Sequence, residues 1–214
     1  MYVHVENGAI TAGPMQLPEV WRNVSGLHLA PQDFLAELGW LPYEATPLPP
    51  HDQRTQKVVT RVEIGATAAR EVHRVVNRTR AEIQAYDDEQ KLLLASERAS
   101  KKIEVAARRW QAQQAGIVFK GTRFPTDPAS VSAYTSNAFA ATQDPSLTVK
   151  WKLPNGVFVV LNSDQVIRLA SAARAHVQAC FDREAELAAA IDAAATIAAV
   201  EGLDITGGWP DIAA

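Results

Sequence analysis

From Val166 to Ala198, small apolar residues return at alternating intervals of four and three: Val166, Ala170, Ala173, Val177, Cys180, Leu187, Ile191, Ala194 and Ala198, interrupted where Glu184 stands on the stripe. That is the period of a helix with one side packed along another element. Asn162 and Gln165 have the spacing of a capping box that starts such a helix, and Gly202 stops it. An alanine-rich stripe permits close approach, so the chain is expected to carry a long amphipathic helix that needs a neighbour.

A second long helix is expected upstream. Thr79 and Glu82 again have capping-box spacing, and no proline or glycine interrupts the run to Ala115, with Gly116 as the stop. Leu92, Ala99, Ile103, Ala106 and Trp110 approximate one apolar seam in its second half, and Ile83, Tyr86, Leu93 and Leu94 widen it near the start. A seam of that length must be covered by another helix, from this chain or from a partner.

The rest reads as strands and turns. YVHVENGAI alternates around Asn7-Gly8, a turn between Val3, Val5 and Ile10. A proline-rich passage follows to Pro50, with Trp21 and Trp40 among its apolar anchors and APQDFLAELG as one short helix. Gln56 to Val76 is dense in valine around Gly65, the pattern of a hairpin that needs a third strand, a helix or another chain on its apolar face. Ile117 to Lys120 reads as a strand, with turns around Gly121, Asp127 and Pro128, and Ser130 to Ala141 as a helix. LTVKWKLPNGVFVVL pairs Thr148 to Leu153 with Val157 to Leu161 across Asn155-Gly156. The tail GLDITGGWPD is expected to be extended, with Trp209 folding back as an apolar plug.

These segments predict an α+β fold: a small N-terminal mixed/β region, a long connecting helix, and a C-terminal β-hairpin with a long amphipathic helix. The division expected is 1–50, a Pro/Trp-containing attachment region; 51–78, a β-hairpin; 79–116, the long helix; and 117–214, a C-terminal α+β domain.

Composition bears on partners. With 47% hydrophobic residues, 21% charged residues and a net charge of -3, the chain reads as folded and without a global cationic field for nucleic acid. Cys180 is the single cysteine, so no internal disulfide framework is expected. The opening MYVHVENGAIT has no cationic stretch leading into an apolar one, and no run approaches a membrane span, so neither secretion by a cleaved signal nor membrane insertion is expected.

Chemistry is weakly represented. His176, Cys180 and Glu184 project from one helical face at intervals of four, but Cys180 sits on the seam, which favours a core thiol with a rim histidine over a metal or nucleophilic site. The acidic clusters Asp182/Glu184/Glu186 and Asp87/Asp88/Glu89 lie on adjacent helix turns rather than facing across a cleft. His4, His28, His51 and His73 fall in separate segments. Arg98, Lys101, Lys102, Arg108 and Arg109 form a basic run diluted by Glu97 and Glu104, read as a solvated face or interchain salt bridges. No phosphate cradle, zinc-protease helix, nucleophile elbow or calcium loop is present. No catalytic residue, metal or cofactor is expected.

Taken in order, GTRFPTD, the helix leading into ATQDPSLTVKWKLPNGVFVVLNSDQV, the helix continuing as RAHVQACFDREAELAAAID, and the closing GWP resemble a small domain of unknown function found near the C-terminus of tail or tail-fibre-region proteins of tailed bacteriophages and prophages. The resemblance runs from Ile117 to Pro210. Upstream, YVHVENGAI, GWLP, the valine-rich hairpin and the helix from Thr79 are similar to the front half of tail-fibre and tail-fibre-assembly proteins. The resemblance implies a non-enzymatic structural component of a phage tail, baseplate or tail fibre, made in the bacterial host cytoplasm and residing in the virion tail. Its expected partners are a tail-fibre or baseplate protein and further copies of itself, with neither nucleic acid nor membrane among them. The alternative is a transient tail-fibre assembly chaperone. The residues expected at the interfaces are Trp21, Trp40, Ile103, Trp110, Val166, Val177, Phe181, Leu187 and Ile191.

Overall fold

The computed structural model describes residues 1–210 and has the α+β architecture expected, in two compact units, Met1–Glu89 and Gln90–Ala214. The division falls inside the long helix.

In the first unit, β1 (Tyr2–Glu6) turns at Asn7-Gly8 into β2 (Ala9–Met15). Two short strands, β3 (Val20–Trp21) and β4 (Val24–Ser25), and a 3-10 turn at Leu27–Leu29 lead to α1 (Gln32–Glu37). The chain re-enters the sheet as β5 (Trp40–Glu44), so GWLP is a turn glycine followed by the start of a strand. The valine-rich hairpin is β6 (Gln56–Ile64) and β7 (Ala69–Asn77). The order in the sheet is β2-β1-β5-β7-β6, with β5 and β7 parallel through Tyr43↔Ala69 and Glu44↔Arg70. β5 thus supplies the third strand that the hairpin needs, and joins it to β1 and β2 in one sheet, while β3 and β4 pair separately.

Alternation along β1 and β5 buries residues on both sides of this sheet. Val3, Leu41 and Ala69 form one cluster, and Leu27, Leu35 and Trp40 another. Gly39 makes the turn from α1 into β5 possible, because its φ of +81 is left-handed and a Cβ there would stand 2.4 Å from the Val5 carbonyl oxygen. Beyond β5, the Thr46 hydroxyl donates to the Glu71 carbonyl at 2.6 Å, which holds the start of the proline passage along β7.

α2 (Arg80–Gln113) begins with the expected box: the Glu82 amide reaches the Thr79 hydroxyl at 3.3 Å, and the Glu82 carboxylate accepts from the Thr79 amide at 2.8 Å. Glu82 also pairs with Lys57 on β6, and the Arg54 guanidinium grips Asp87 through two bonds of 2.8 Å.

In the second unit, α2 ends before Gly116, and β8 (Ile117–Phe119) and β9 (Thr122–Phe124) form a small hairpin. β9 replaces what the sequence suggested was only a turn. Asp127 caps α3 (Pro128–Gln143), its carboxylate accepting from the Ala129 and Ser130 amides. The Asn155-Gly156 hairpin joins β10 (Thr148–Lys152) to β11 (Phe158–Asn162), and the Asn162/Gln165 box opens α4 (Ser163–Ala193). Ile117, Phe124, Tyr134, Leu153, Leu161, Val166, Leu169 and Ala173 make the main core here. Burial pushes the Tyr134 phenol up to about 12, and its hydroxyl donates to the Pro125 carbonyl at 3.0 Å.

One helix expectation needs correction. The stripe to Ala198 does not lie on a single helix: α4 ends at Ala193, Ala194 is extended, and Thr196 caps a separate α5 (Ile197–Glu201). The Arg98 guanidinium takes the Ala194 carbonyl at 2.8 Å, which satisfies an oxygen that the helix end leaves free. Ala198 is exposed, and Val200 is the α5 residue that points inward.

Glu82 gives the fold a pH signature. Lys57 and Thr79 hold its carboxyl at about 2, against an ordinary 4.5. A depressed carboxylate stabilises the fold above its unfolded value and loses that contribution as pH falls through its folded value. Thermal melts of Glu82→Gln and the unmodified chain are therefore expected to differ most above pH 4.5 and to converge as pH falls toward 2; parallel curves across that window would separate Glu82 from the acid response.

Candidate functional site

The second half of α2 and α4 lie side by side and antiparallel. Arg98 meets Ala194, Lys102 meets Asp192 at 2.7 Å, Arg109 meets Glu184 at 2.8 Å, and His176 Nε2 meets the Ala112 carbonyl at 3.1 Å. Between these contacts Val105, Leu187, Ile191 and Val200 are buried together, and Leu94, Leu203, Ile205 and Trp209 close the cluster. Trp209 is the plug expected of the tail, its indole donating to the Ile205 carbonyl at 2.9 Å. Arginine and lysine stems line this seam while their charged ends reach carboxylates and carbonyls at its margin. The basic run is thereby tied within the chain: Lys101 pairs with Glu104, and Arg108 donates to the Gln111 amide oxygen. Salt bridges within the chain thus engage Lys101, Lys102 and Arg109 of the run that the sequence suggested was a solvated face or a source of interchain salt bridges.

The His176/Cys180/Glu184 face is part of that seam. His176 Nε2 is the N–H of the ring, because it donates to the Ala112 carbonyl in the last turn of α2. The next carbonyl, of Gln113, accepts from the buried Thr126 hydroxyl at 2.5 Å, and that of Ala115 from Arg123. His176 therefore serves as a cap on the end of α2. Cys180 Sγ lies 3.9 Å from the same nitrogen, fully buried, and burial pushes its thiol up despite nearby Arg109. A protonated nitrogen beside a high-pKa thiol is the reverse of an activated nucleophile. Glu184 is held by Arg109.

The remaining candidates are dispersed. Asp182 accepts from Gln178, Glu186 pairs with Arg183, and Asp88 accepts from Gln84. His4 is buried between Trp21 and Trp40 and reaches Thr11 Oγ1 at 2.5 Å and the Leu38 carbonyl at 3.1 Å. His73 bridges Thr60 and the Thr46 carbonyl, His51 reaches the Pro49 carbonyl, and His28 is exposed. Among the described residues, no group of three or more His, Cys, Asp or Glu side chains is placed to hold a metal ion, and no helix is long and apolar enough to cross a membrane.

What the fold leaves open is the opposite side of α2. Leu92 is 73% exposed, Ile103 72% and Trp110 45%, and Leu93, Ala95, Ser96, Ala99, Ser100 and Ala107 are exposed between them. At about 100° per residue these positions share one side of the helix, facing away from Leu94, Val105 and Ala112 on the α4 side. The apolar seam read from the sequence is thus real but faces solvent. The seam packed on α4 lies about half a turn round, and its cation-rich sequence concealed it from a search for apolar periodicity.

The residues expected at interfaces fall into two groups. Trp40, Val166, Leu187 and Ile191 are buried in the chain's own cores, and Trp21 and Val177 are half-buried. Ile103, Trp110 and Phe181 are exposed. The Arg109 guanidinium lies 4.5 Å from the Phe181 ring centre and 6.0 Å from that of Trp110, so α4 extends the apolar surface of α2 at one end. A groove between α3 and α4, lined by Ala138, Phe139, Ile167 and Ala170, is a second exposed apolar feature.

Two measurements separate these surfaces. Ile191→Ala is expected to cost about 2 to 5 kcal/mol of unfolding free energy by denaturant titration, as a buried large-to-small change does, whereas Ile103→Ala changes it by no more than about 0.5 kcal/mol. Cys180 is expected to resist an aromatic disulfide reagent in the native protein and to react on unfolding; rapid native reaction would restore a catalytic reading.

No curated protein and no solved structure matches the chain. The profile of one family matches residues 96–207, which takes in the second half of α2, the strands, α3, α4 and α5. The match begins well before Ile117, as expected if α2 and α4 form one packed unit. Covering more than half of the sequence, it shows that the chain belongs to the family described as domain of unknown function DUF4376.

Proposed function

We propose that this protein is a non-enzymatic structural component of a phage tail, baseplate or tail fibre that works by protein–protein contact. The observation that carries the contact role is the exposed uncharged side of α2, anchored by Leu92, Ile103 and Trp110. Soluble chains rarely leave a contiguous apolar face of this length open without a use for it. The groups that sequence spacing suggested for chemistry support the same reading, because each has a structural partner: His176 caps α2, Glu184 holds Arg109, and Cys180 is sealed in the seam. The tail context rests on the resemblance carried by GTRFPTD, the Asn155-Gly156 hairpin and the closing GWP, together with the family match.

Localisation in the virion tail and contact with a tail-fibre or baseplate subunit follow from that context. The test is crosslinking mass spectrometry of purified particles from a phage or prophage that encodes the chain. The expected result is the chain present in finished particles, crosslinked to a tail-fibre or baseplate subunit through α2 or α4. A chain found only with immature fibre protein and absent from finished particles would replace this reading with that of an assembly chaperone.

A further inference from the structure

We infer that Asn7, in the turn between β1 and β2, is a site of spontaneous deamidation in the folded protein, and that the turn around Asn155, which carries the same Asn-Gly pair, is held so as to resist it. This is independent of the contact role and of the tail context.

The chain has two asparagines followed by glycine, Asn7-Gly8 and Asn155-Gly156. Both pairs are exposed, and a Cβ on either glycine would meet nothing within 4 Å, so crowding separates neither from the other. At each, the glycine amide nitrogen, once hydroxide has taken its proton, can attack the side-chain carbonyl carbon of the asparagine. A C–N bond forms, the bond to Nδ2 breaks, and ammonia leaves with a proton returned by water, which gives a five-membered cyclic imide. Water then adds to either imide carbonyl and opens the ring, leaving aspartate or isoaspartate in place of the asparagine.

Hydrogen bonds distinguish the two turns. The Gly156 amide donates to the Leu153 carbonyl at 2.9 Å, and Asn155 Oδ1 accepts from the Val157 amide at 3.1 Å. Deprotonating Gly156 breaks the bond that closes the turn, and swinging the carboxamide into the ring breaks the second. Leu153 also donates to the Val157 carbonyl at 2.8 Å and is buried in the main core of the second unit, so this turn opens only by disturbing that core. At the other turn, neither the Asn7 carboxamide nor the Gly8 amide has a hydrogen-bond partner among the described residues. β2, which follows it, is an edge strand and almost wholly exposed, so flexing there costs little. The nitrogen that must lose its proton and the carbon it must reach are both free to do so. A carboxylate formed at Asn7 opens onto the cleft lined by Glu6, Trp21, Arg22 and Glu37, where Arg22 already holds Glu6 at 3.1 Å.

The test uses the full chain, incubated in mildly alkaline buffer both folded and in denaturant. Peptide mapping by mass spectrometry follows the conversion of each asparagine, and elution resolves aspartate from isoaspartate. The slowing caused by folding is the unfolded rate divided by the folded rate at each site. It is expected to be at least about tenfold greater at Asn155 than at Asn7, because two or more hydrogen bonds must open there first. The folded chain is also expected to accumulate a more acidic form on ion exchange, containing isoaspartate at Asn7. Asn7→Gly, which keeps a residue suited to the positive φ of this turn but has no side chain to cyclise, abolishes that form. Equal or greater slowing at Asn7, or an acidic form that persists in Asn7→Gly, overturns the inference.

Discussion

A helix of 34 residues has more surface than one neighbour can cover, and the second unit of this protein is organised around how the C-terminal half of α2 divides that surface. One side is committed to α4. There Val105 inserts among Leu187, Ile191 and Val200, and the cations Arg98, Lys102 and Arg109 fasten the margins to a free carbonyl and two carboxylates. The apolar cluster supplies most of the favourable free energy, at about 25 cal/mol per Å² buried. The half-exposed pair Lys102–Asp192 contributes little stability on its own, and its role is to fix the register of the two helices.

The end of α2 shows how a constraint that looks chemical can be structural. A helix leaves its last carbonyls without partners, and burial of such an oxygen costs on the order of 1 to 3 kcal/mol if nothing donates to it. Here Thr126 donates to Gln113 and Arg123 to Ala115 from elsewhere in the fold, and His176 adds a second donor to the Ala112 carbonyl, which also accepts from the Ala115 amide at 3.1 Å. Gly116 then turns away at φ +87, where a Cβ would stand 2.8 Å from the Phe124 carbonyl oxygen. A histidine one helical turn from a cysteine is suggestive in a sequence, but the carbonyl it reaches sits 64 positions earlier, and that partner decides its role.

Local features were legible because their physics is local. The capping boxes at Thr79/Glu82 and Asn162/Gln165, the Asn155-Gly156 turn and the stop at Gly116 each follow from residues within a few positions of one another. Non-local features were not. The parallel contact of β5 with β7 joins Tyr43 to Ala69, and GWLP is too short to announce a strand by alternation. The break after Ala193 has no glycine or proline to signal it, because a tertiary bond from Arg98 stabilises the extended Ala194.

The two seams of α2 carry the sharpest case, because hydropathy marks the wrong one as internal. Arginine and lysine score as polar by their ends, yet their stems pack well against an alanine-rich helix when acceptors stand at the margin. α4 provides such margins in Glu184 and Asp192, so a stripe reading Arg98, Lys102, Val105, Arg109 is the one buried against it. Leu92, Ile103 and Trp110 cannot share that site, since they lie on the far side of the same helix. Apolar residues on a surface that the chain itself does not cover cost solubility, and their stripe spans the stretch of α2 whose other side is already anchored and rigid. A rigid, preorganised helix loses little conformational freedom on meeting a partner, so even a narrow apolar face can hold one. The charged seam therefore builds the fold, and the greasy one is left available for contact.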